Sequence, residues 1–337
     1  MVFPRSNSPI QVATAGEALI DMIEEPDGRL RPCAGGAVYN LTRALGLQGV
    51  GVLYLNPLST DRFGQMLDSG LREAHVHQAH PHPVLEPTSL AVVGLDAHGK
   101  ASYSFYREGV ADRRVNAAEM NEQCRERPTL SVVATGCLAL VADDSHKYLP
   151  WLQTQRSEGR LVVVDANLRP AIVPDMAPYQ DSVLAALREA HIVKVSDDDL
   201  QTLGFTQSDP IEAARLLLKQ TQARWLALTL GAKGAVLLQR DGSGWHAVES
   251  ETVKVADTVG AGDCFLAGML TALLERTRTR TTPDAAALEL DAADLLHILG
   301  HAIASASLCV QAAGCVPPDL AQVRHRLVTV GQLVNPV

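Results

Sequence analysis

The sequence predicts an α/β fold: a mostly parallel central sheet with helices on both faces, and a small β-sheet beside it. Three observations carry this. Short apolar runs alternate with segments of helical period. Several of the strand-like runs are apolar throughout, whereas a sheet with one wet face would alternate, so both faces are expected to be covered. Two stretches, 18–30 and 89–108, have β character but no helix following each strand.

In chain order, strands are expected at 12–15, 50–55, 130–135, 161–165, 192–195, 225–230 and 235–239. The run Leu161-Val-Val-Val-Asp165 is typical of a strand buried on both faces. Helices are expected at 38–45, 63–74, 181–190, 209–220, 262–276 and 292–311. In 262–276 the apolar positions Phe265, Leu266, Met269, Leu270, Leu273 and Leu274 repeat at helical spacing. The segments 18–30 and 89–108 hold β-formers such as Val92, Val93, Tyr103, Phe105 and Tyr106. They read as an accessory sheet projecting from the main body. The stretch 276–288 (RTRTRTTPDAAAL) reads as an exposed loop between two helices. There is no internal repeat and no Pro- or Gly-rich linker, so 11–330 is read as one domain.

Composition narrows the function. The 337 residues are 47% hydrophobic and only 4% aromatic, which gives a large, mostly aliphatic core. A net charge of −9 argues against nucleic acid or an anionic membrane as partner. The N-terminus carries no long apolar stretch, and no apolar run reaches the roughly 18 residues of a membrane span. Cys33, Cys124, Cys137, Cys264, Cys309 and Cys315 show no CxxC spacing and read as reduced thiols in a cytoplasmic protein. His75, His77, His80 and His82 fit no strong metal motif, and Pro81 and Pro83 imply extended chain there.

The run 257–270, DTVGAGDCFLAGML, says most about chemistry. Gly260, Ala261 and Gly262 leave backbone N–H groups open at a helix N-terminus, where anions such as phosphate bind. Asp263 follows at once. A carboxylate beside bound phosphate is explained as a base that deprotonates a hydroxyl attacking that phosphate. The plainer reading is a tight turn with an acid favouring the helix dipole.

Other pieces are weaker alone. Asp21 lies on a strand, and Gly35-Gly36 precede a helix that carries Asn40, a donor and acceptor suited to sugar hydroxyls. Phe105 and Arg107, in YSFYREGVAD, can floor and clamp a sugar or can simply pack across strands. Asp165-Ala166-Asn167-Leu168-Arg169-Pro170 falls at the carboxyl end of a strand, where ligands bind in parallel sheets. Arg169 suits phosphate oxygens. In Lys194-Val-Ser196-Asp-Asp-Asp199, Ser196 also reads as a helix N-cap. Thr229-Leu-Gly231-Ala-Lys-Gly234 reads as a hairpin turn.

Together, and in order over residues 11–320, these motifs resemble the ribokinase-like (PfkB) carbohydrate kinase family. The resemblance implies ATP-dependent transfer of the γ-phosphoryl group to a primary sugar hydroxyl. Asp263 is then the catalytic base, with Gly260, Ala261, Gly262 and Asp263 forming the anion hole. Asp21, Gly35, Gly36, Asn40, Phe105, Arg107 and Arg169 are assigned to substrate. Lys194, Ser196, Thr229, Gly231 and Gly234 are assigned to ATP. Asp199 is assigned to Mg2+ through water, because the family's usual Glu is here a shorter Asp and the usual Asn is Ser196. Asp257, Val259 and Gly314 are assigned to a monovalent cation, K+. The accessory sheet, built from about 18–30 and 89–112, implies a lid, and a homodimer through lids. The forms GEALID, GGAVYN, STDRFG and FYREGVAD resemble the fructokinase branch, including Val38 and Ser59 where other branches differ. A kinase for another sugar such as 2-keto-3-deoxygluconate, or a sugar-binding regulator without catalysis, is the alternative. A nicotinamide dehydrogenase is disfavoured, since Gly16-Glu17-Ala18 replaces a GxGxxG after the first strand.

Overall fold

The computed structural model describes residues 8–25, 27–95, 101–277, 288 and 290–337. The chain starts in β1 (Ile10–Thr14), then leaves the main sheet as β2 (Leu19–Glu24) and β3 (Leu30–Gly35). It returns through α1 (Ala37–Leu47), β4 (Gly51–Tyr54), α2 (Arg62–Glu73) and β5 (His77–Gln78). A second excursion forms β6 (Ser89–Leu95) and β7 (Ala101–Tyr106). Regular β–α alternation follows: α3 (Ala117–Arg125), β8 (Val132–Gly136), α4 (Ser145–Ser157), β9 (Leu161–Asp165), α5 (Met176–Glu189) and β10 (Ile192–Ser196). Then come α6 (Asp197–Thr202), α7 (Pro210–Gln220), β11 (Trp225–Thr229), β12 (Ala235–Gln239) and β13 (Gly244–Glu249). The chain closes with α8 (Ala261–Thr277), α9 (Ala292–Cys309), α10 (Leu320–Thr329) and β14 (Gln332–Pro336).

The main sheet has ten strands in the order β14-β13-β12-β11-β10-β9-β8-β1-β4-β5. From β11 to β5 every pairing is parallel, and the β12–β14 edge is antiparallel. Side chains of β1, β8, β9 and β10 alternate between two cores. One core lies under α4, α5 and α7, with Trp151, Tyr179 and Leu217 fully buried. The other lies under α8 and α9, with Leu266, Leu270, Leu273 and Ile298 fully buried. This two-sided cover explains why the strand runs are apolar throughout. The strand order reverses between β8 and β1, and ligands bind at such a crevice.

The smaller sheet runs β3-β2-β6-β7. Its strands β2 and β6 are parallel neighbours, and β3 and β7 flank them antiparallel. It leaves from the carboxyl end of β1, so the chain's topology sets it over one side of the crevice. The described parts of the expected accessory segments 18–30 and 89–108 contribute its strands, although the first extends to Gly35; positions 26 and 96–100 lie outside the described residues. The expected loop 276–288 falls mostly on 278–287, outside the described residues, while Arg276 and Thr277 still belong to α8.

Several elements lacked a sequence signal. Helices α3 and α10 bury few side chains, and α4 contains Pro150 and little amphipathic pattern. Strand β14 is an exposed edge whose place depends on pairing with β13. Among the described helices, α9 alone is long and apolar enough to cross a membrane. Here Leu295, Ile298, Leu299 and Ala302 pack into the core shared with α8.

Asn56, just beyond β4, ties the crevice together. Its Oδ1 accepts from the Gly16 N–H at 2.8 Å, and its Nδ2 donates to the Asp112 carbonyl at 2.7 Å and to the Tyr148 hydroxyl at 2.9 Å. Asn56 is buried, so water cannot replace these partners. Asn56→Ala is expected to lower stability by about 3 kcal/mol and Tm by about 4 °C. Thermal denaturation of the variant against the parent checks this, and an unchanged Tm would contradict the network's importance.

Candidate active site

Asp263 sits in the first turn of α8, near the crevice at the reversal of strand order, and is 6% exposed. The turn before it folds as its sequence requires. Gly260 has φ of 78°, a left-handed conformation that side-chain-bearing residues rarely adopt. First-turn N–H groups of a helix mostly lack a carbonyl a turn earlier to bond, so this end suits an anion, although the Ala261 N–H already donates to the Thr258 carbonyl at 3.3 Å. Asn40 Nδ2 donates to one Asp263 oxygen at 3.0 Å, and Asn167 Nδ2 reaches the other at 3.5 Å. Burial pushes the Asp263 carboxyl up to about 6, opposed by the Asn40 hydrogen bond and by the charges of Lys194 and Arg169. A carboxyl held there is ionised at neutral pH and still basic enough to take a proton. A small cavity beside Asp263 is lined by Val38, Thr135, Gly136, Cys137 and Asp165.

The Gly35-Gly36 turn lies opposite. A side chain on Gly36 would press its Cβ within 2.7 Å of the Glu17 carbonyl, and φ there is 104°. Asp21 places its carboxylate against Gly35, where an added Cβ would meet it at 2.2 Å. Burial raises Asp21 to about 6, with the Arg169 charge opposing. Asn40 Oδ1 is buried and has no hydrogen-bond partner among the described residues. A buried acceptor left open beside a candidate base is matched by a donor hydroxyl. Sequence reading gave Glu17 no role. It is buried, and its Oε1 accepts from the Ala37 N–H at 2.8 Å, bracing the N-terminus of α1. The available signal was an acid inside an otherwise apolar stretch.

Phe105, on β7, packs against Leu19, Ala91, Cys137 and Leu138, at the seam between the two sheets. Arg107 also lies in that seam, with its side chain 9% exposed. It donates to the Leu138 carbonyl at 3.4 Å and stands 3.8 Å from Asp112. In this arrangement Arg107 couples the small sheet to the main body.

Another side of the site is built from the carboxyl ends of β9, β10 and β11. Lys194 is buried and pairs with Asp165 at 3.1 Å. A methyl on Gly262 would come within 2.7 Å of its Nζ, so the ammonium lies directly against the anion turn. Burial pushes Asp165 up to about 7, with Lys194 opposing. Asn167 has φ of 38°, an uncommon value for a non-glycine residue and one that marks functional turns. Arg169 folds back on the Asn167 and Leu168 carbonyls, at 3.3 and 3.0 Å.

Ser196 and Asp199 form a capping box on α6, as the N-cap reading of Ser196 expects. Asp199 Oδ2 accepts from the Ser196 N–H and Oδ1 from the Leu168 N–H, both at 2.8 Å. Asp199 thus pins the β9 loop to β10. Ser196 and Thr229 are register partners on β10 and β11, which brings those two motifs side by side. Gly231 and Gly234 bracket the turn into β12, and β11 and β12 are antiparallel, as a hairpin requires.

Asp257 gathers the last expected group. Its Oδ1 accepts from the Val259 N–H at 3.0 Å and its Oδ2 from the Gly314 N–H at 2.8 Å. Residues more than fifty positions apart thereby meet behind the anion turn. Of the four histidines between 75 and 82, His80 approaches Gln123 at 3.2 Å and Glu119 at 3.8 Å, on α3.

Comparison with known proteins relates the chain to sugar kinases. The pfkB family carbohydrate kinase model matches residues 10–321. The fructokinase of Rhizobium leguminosarum bv. trifolii is 30% identical over 266 residues, covering 78% of this chain and 79% of that protein. Fructokinase-1 of Oryza sativa subsp. japonica is 31% identical over 273 residues, covering 78% and 83%. The crystal structure of Xylella fastidiosa fructokinase with bound ATP matches with a TM-score of 0.80 at 28% identity, covering 95% of this chain and 98% of that one. On the residues matched, the crevice and the anion turn alike, the chain belongs to the pfkB family of carbohydrate kinases.

Proposed function

We propose that the protein transfers the γ-phosphoryl group of ATP to a primary hydroxyl of fructose. The observation that carries this is Asp263, buried at the open N-terminus of α8 with Asn40 holding one of its oxygens. Asp263 takes the proton of the attacking hydroxyl as the new P–O bond forms, the bond from the γ-phosphorus to the bridging oxygen breaks and ADP leaves. The N–H groups of the 260–263 turn and the Lys194 ammonium behind it stabilise charge on the phosphoryl group in flight. Asp21, the Gly35-Gly36 turn and Asn40 hold the sugar, with the open Asn40 Oδ1 accepting from one of its hydroxyls. Arg169 lies where its charge acts on both Asp21 and Asp263, between sugar and phosphate. The choice of fructose rests on relatives named fructokinase and on the forms GEALID, GGAVYN, STDRFG and FYREGVAD.

ATP is assigned to the β10–β11 end, at Ser196, Thr229, Gly231 and Gly234. Magnesium bound to its phosphates would supply neutralisation of their charge. Both oxygens of Asp199 already accept backbone N–H groups, so Asp199 suits the waters of that ion rather than the ion itself. Asp257, Val259 and Gly314 are assigned to K+ with backbone carbonyls as the ligands, since both Asp257 oxygens already accept from the Val259 and Gly314 N–H groups and hold the two loops together. The smaller sheet acts as a lid that excludes water from the phosphoryl group. Phe105 and Arg107 sit at its hinge with the main body, and Arg107 meets substrate on closure. Leu30 and Tyr106 are exposed on this sheet, which suits a homodimer through lids in a cytoplasmic enzyme.

Asp263→Asn is expected to lower turnover by at least about 100-fold while sugar binding persists, since Asn keeps the shape without the basicity. The parent enzyme's kcat/KM should fall below about pH 6 and level off above it. The sign follows from the base role: protonation below its raised value removes the acceptor. Calorimetric sugar binding with a coupled ADP assay checks both, and turnover within a few-fold of the parent would refute the assignment.

The kcat/KM for fructose should exceed those for ribose, adenosine and 2-keto-3-deoxygluconate under one condition, with ATP and Mg2+ required. In the same assay, Arg169→Met and Arg107→Met should raise the KM for sugar or lower kcat. A clear lead for 2-keto-3-deoxygluconate would keep the kinase chemistry and overturn the sugar. Light scattering should give the mass of two chains, and charged replacement of Leu30 and Tyr106 should shift it to one. A single-chain mass in the parent would refute the dimer.

A further inference from the structure

We infer that Cys264, Cys309 and Cys315 form a binding site for a soft, thiophilic metal ion, and that filling it inhibits phosphoryl transfer. Three separate elements bring these thiols together. Cys264 directly follows Asp263 in the first turn of α8, Cys309 ends α9, and Cys315 lies in the loop beyond it. Their Sγ atoms all lie within 4.8 Å of one another. All three are free thiols, and the remaining cysteines, Cys33, Cys124 and Cys137, do not join the cluster.

The spacing suits coordination. Metal–thiolate bonds to zinc are about 2.3 Å long, so three sulfurs around one such ion lie about 3.8 Å apart. The trio therefore has to contract by no more than about 1 Å. Thiolates select soft ions such as Zn2+, Cu+ and Cd2+ over Mg2+ or K+. Cys264 and Cys309 are fully buried, while Cys315 is partly exposed and gives an ion a way in. The Val259 carbonyl, 3.6 Å from Cys309 Sγ, offers an oxygen at the edge of the trio. The carboxylates of Asp257 and Asp263 act electrostatically on Cys309 and Cys315 and favour a cation. On binding, each thiol gives its proton to solvent as its sulfur–metal bond forms, with no change in oxidation state. A second trio, Glu275, His297 and His301, is less suited, because Glu275 already pairs with Arg324 at 2.6 Å and Arg276 stands nearby.

The cluster is also the underside of the anion turn. Cys315 Sγ packs on Gly260 so closely that an added Cβ would come within 2.2 Å of it. Drawing the sulfurs together around an ion must shift Gly260 or the first turn of α8, and with it the N–H groups and Asp263. Inhibition therefore rests on the kinase reading above, while the binding itself does not.

The test is titration of the reduced, full-length protein with Cd2+ alone, followed by the ultraviolet charge-transfer absorption of cadmium–thiolate bonds. One equivalent should saturate it with the intensity of three thiolates. The absorption should shrink in Cys309→Ser and in Cys315→Ala, the latter at a partly exposed position where folding is least at risk, and persist in Cys33→Ser. ADP release by the parent should fall at least about tenfold at saturation and return with chelator. Relative to its own starting rate, Cys315→Ala should resist this inhibition. No thiolate absorption, or one unchanged in both cluster variants, overturns the site. Full absorption without inhibition of an active enzyme overturns the coupling. Full absorption in a protein that phosphorylates no sugar supports the site and faults the activity instead.

Discussion

The arrangement depends on keeping one carboxylate, that of Asp263, out of water without neutralising it. Burial alone would drive its proton affinity far up. The Asn40 amide, the Lys194 ammonium and the Arg169 guanidinium limit that rise, so the carboxyl settles at about 6. Each of these groups arrives from a different place: α1, β10 and the loop after β9. The position of the base therefore depends on the register of the whole parallel sheet. Lys194 must in turn be held by Asp165, one strand away, at 3.1 Å. A buried ion pair of this kind adds little net stability, but losing either partner leaves an uncompensated charge.

The same constraint accounts for the surrounding architecture. Reversal of strand order between β8 and β1 opens a crevice, and α8 points its N-terminus there. The loops that line it are held by short internal bonds. Asp199 fastens the loop after β9, Asp257 fastens the loop after α9, and Asn56 fastens the link between β1 and the small sheet. These are polar groups in buried or half-buried positions, so each is spent on backbone partners. Asn40 Oδ1, which has no partner among the described residues, lies beside Asp263. The uncommon backbone angles at Cys137 and Asn167 fall in the same place, where loops leave the carboxyl ends of β8 and β9.

Much of the fold was legible because both faces of the sheet are covered. Fully apolar runs at 161–165 and 225–230 leave few alternatives to buried strands. Residues 260–263 were legible because bare backbone before an acid has a specific chemical use. Elements that bury little, α3, α10 and β14, gave no comparable signal, since their positions come from contacts made by other segments. Glu17 escaped notice for a related reason: its partner, the Ala37 N–H, is set by the return of the chain from β3. Asp199 was readable as an acid near phosphate, yet its engagement with Leu168 appears only once β9 and β10 are aligned.

By itself the sequence determined the α/β class and the order of the motifs, and it singled out Asp263 as the candidate base, because these follow from local period and residue chemistry. Tertiary structure alone decided which charges face one another. The pairing of Lys194 with Asp165, the turning of Arg107 into the seam and the gathering of Cys264, Cys309 and Cys315 join residues that no spacing relates. Such contacts depend on strand register and helix placement, which are settled by packing over the entire core. A local pattern carries the chemistry of a side chain but not its distance from a partner on another element.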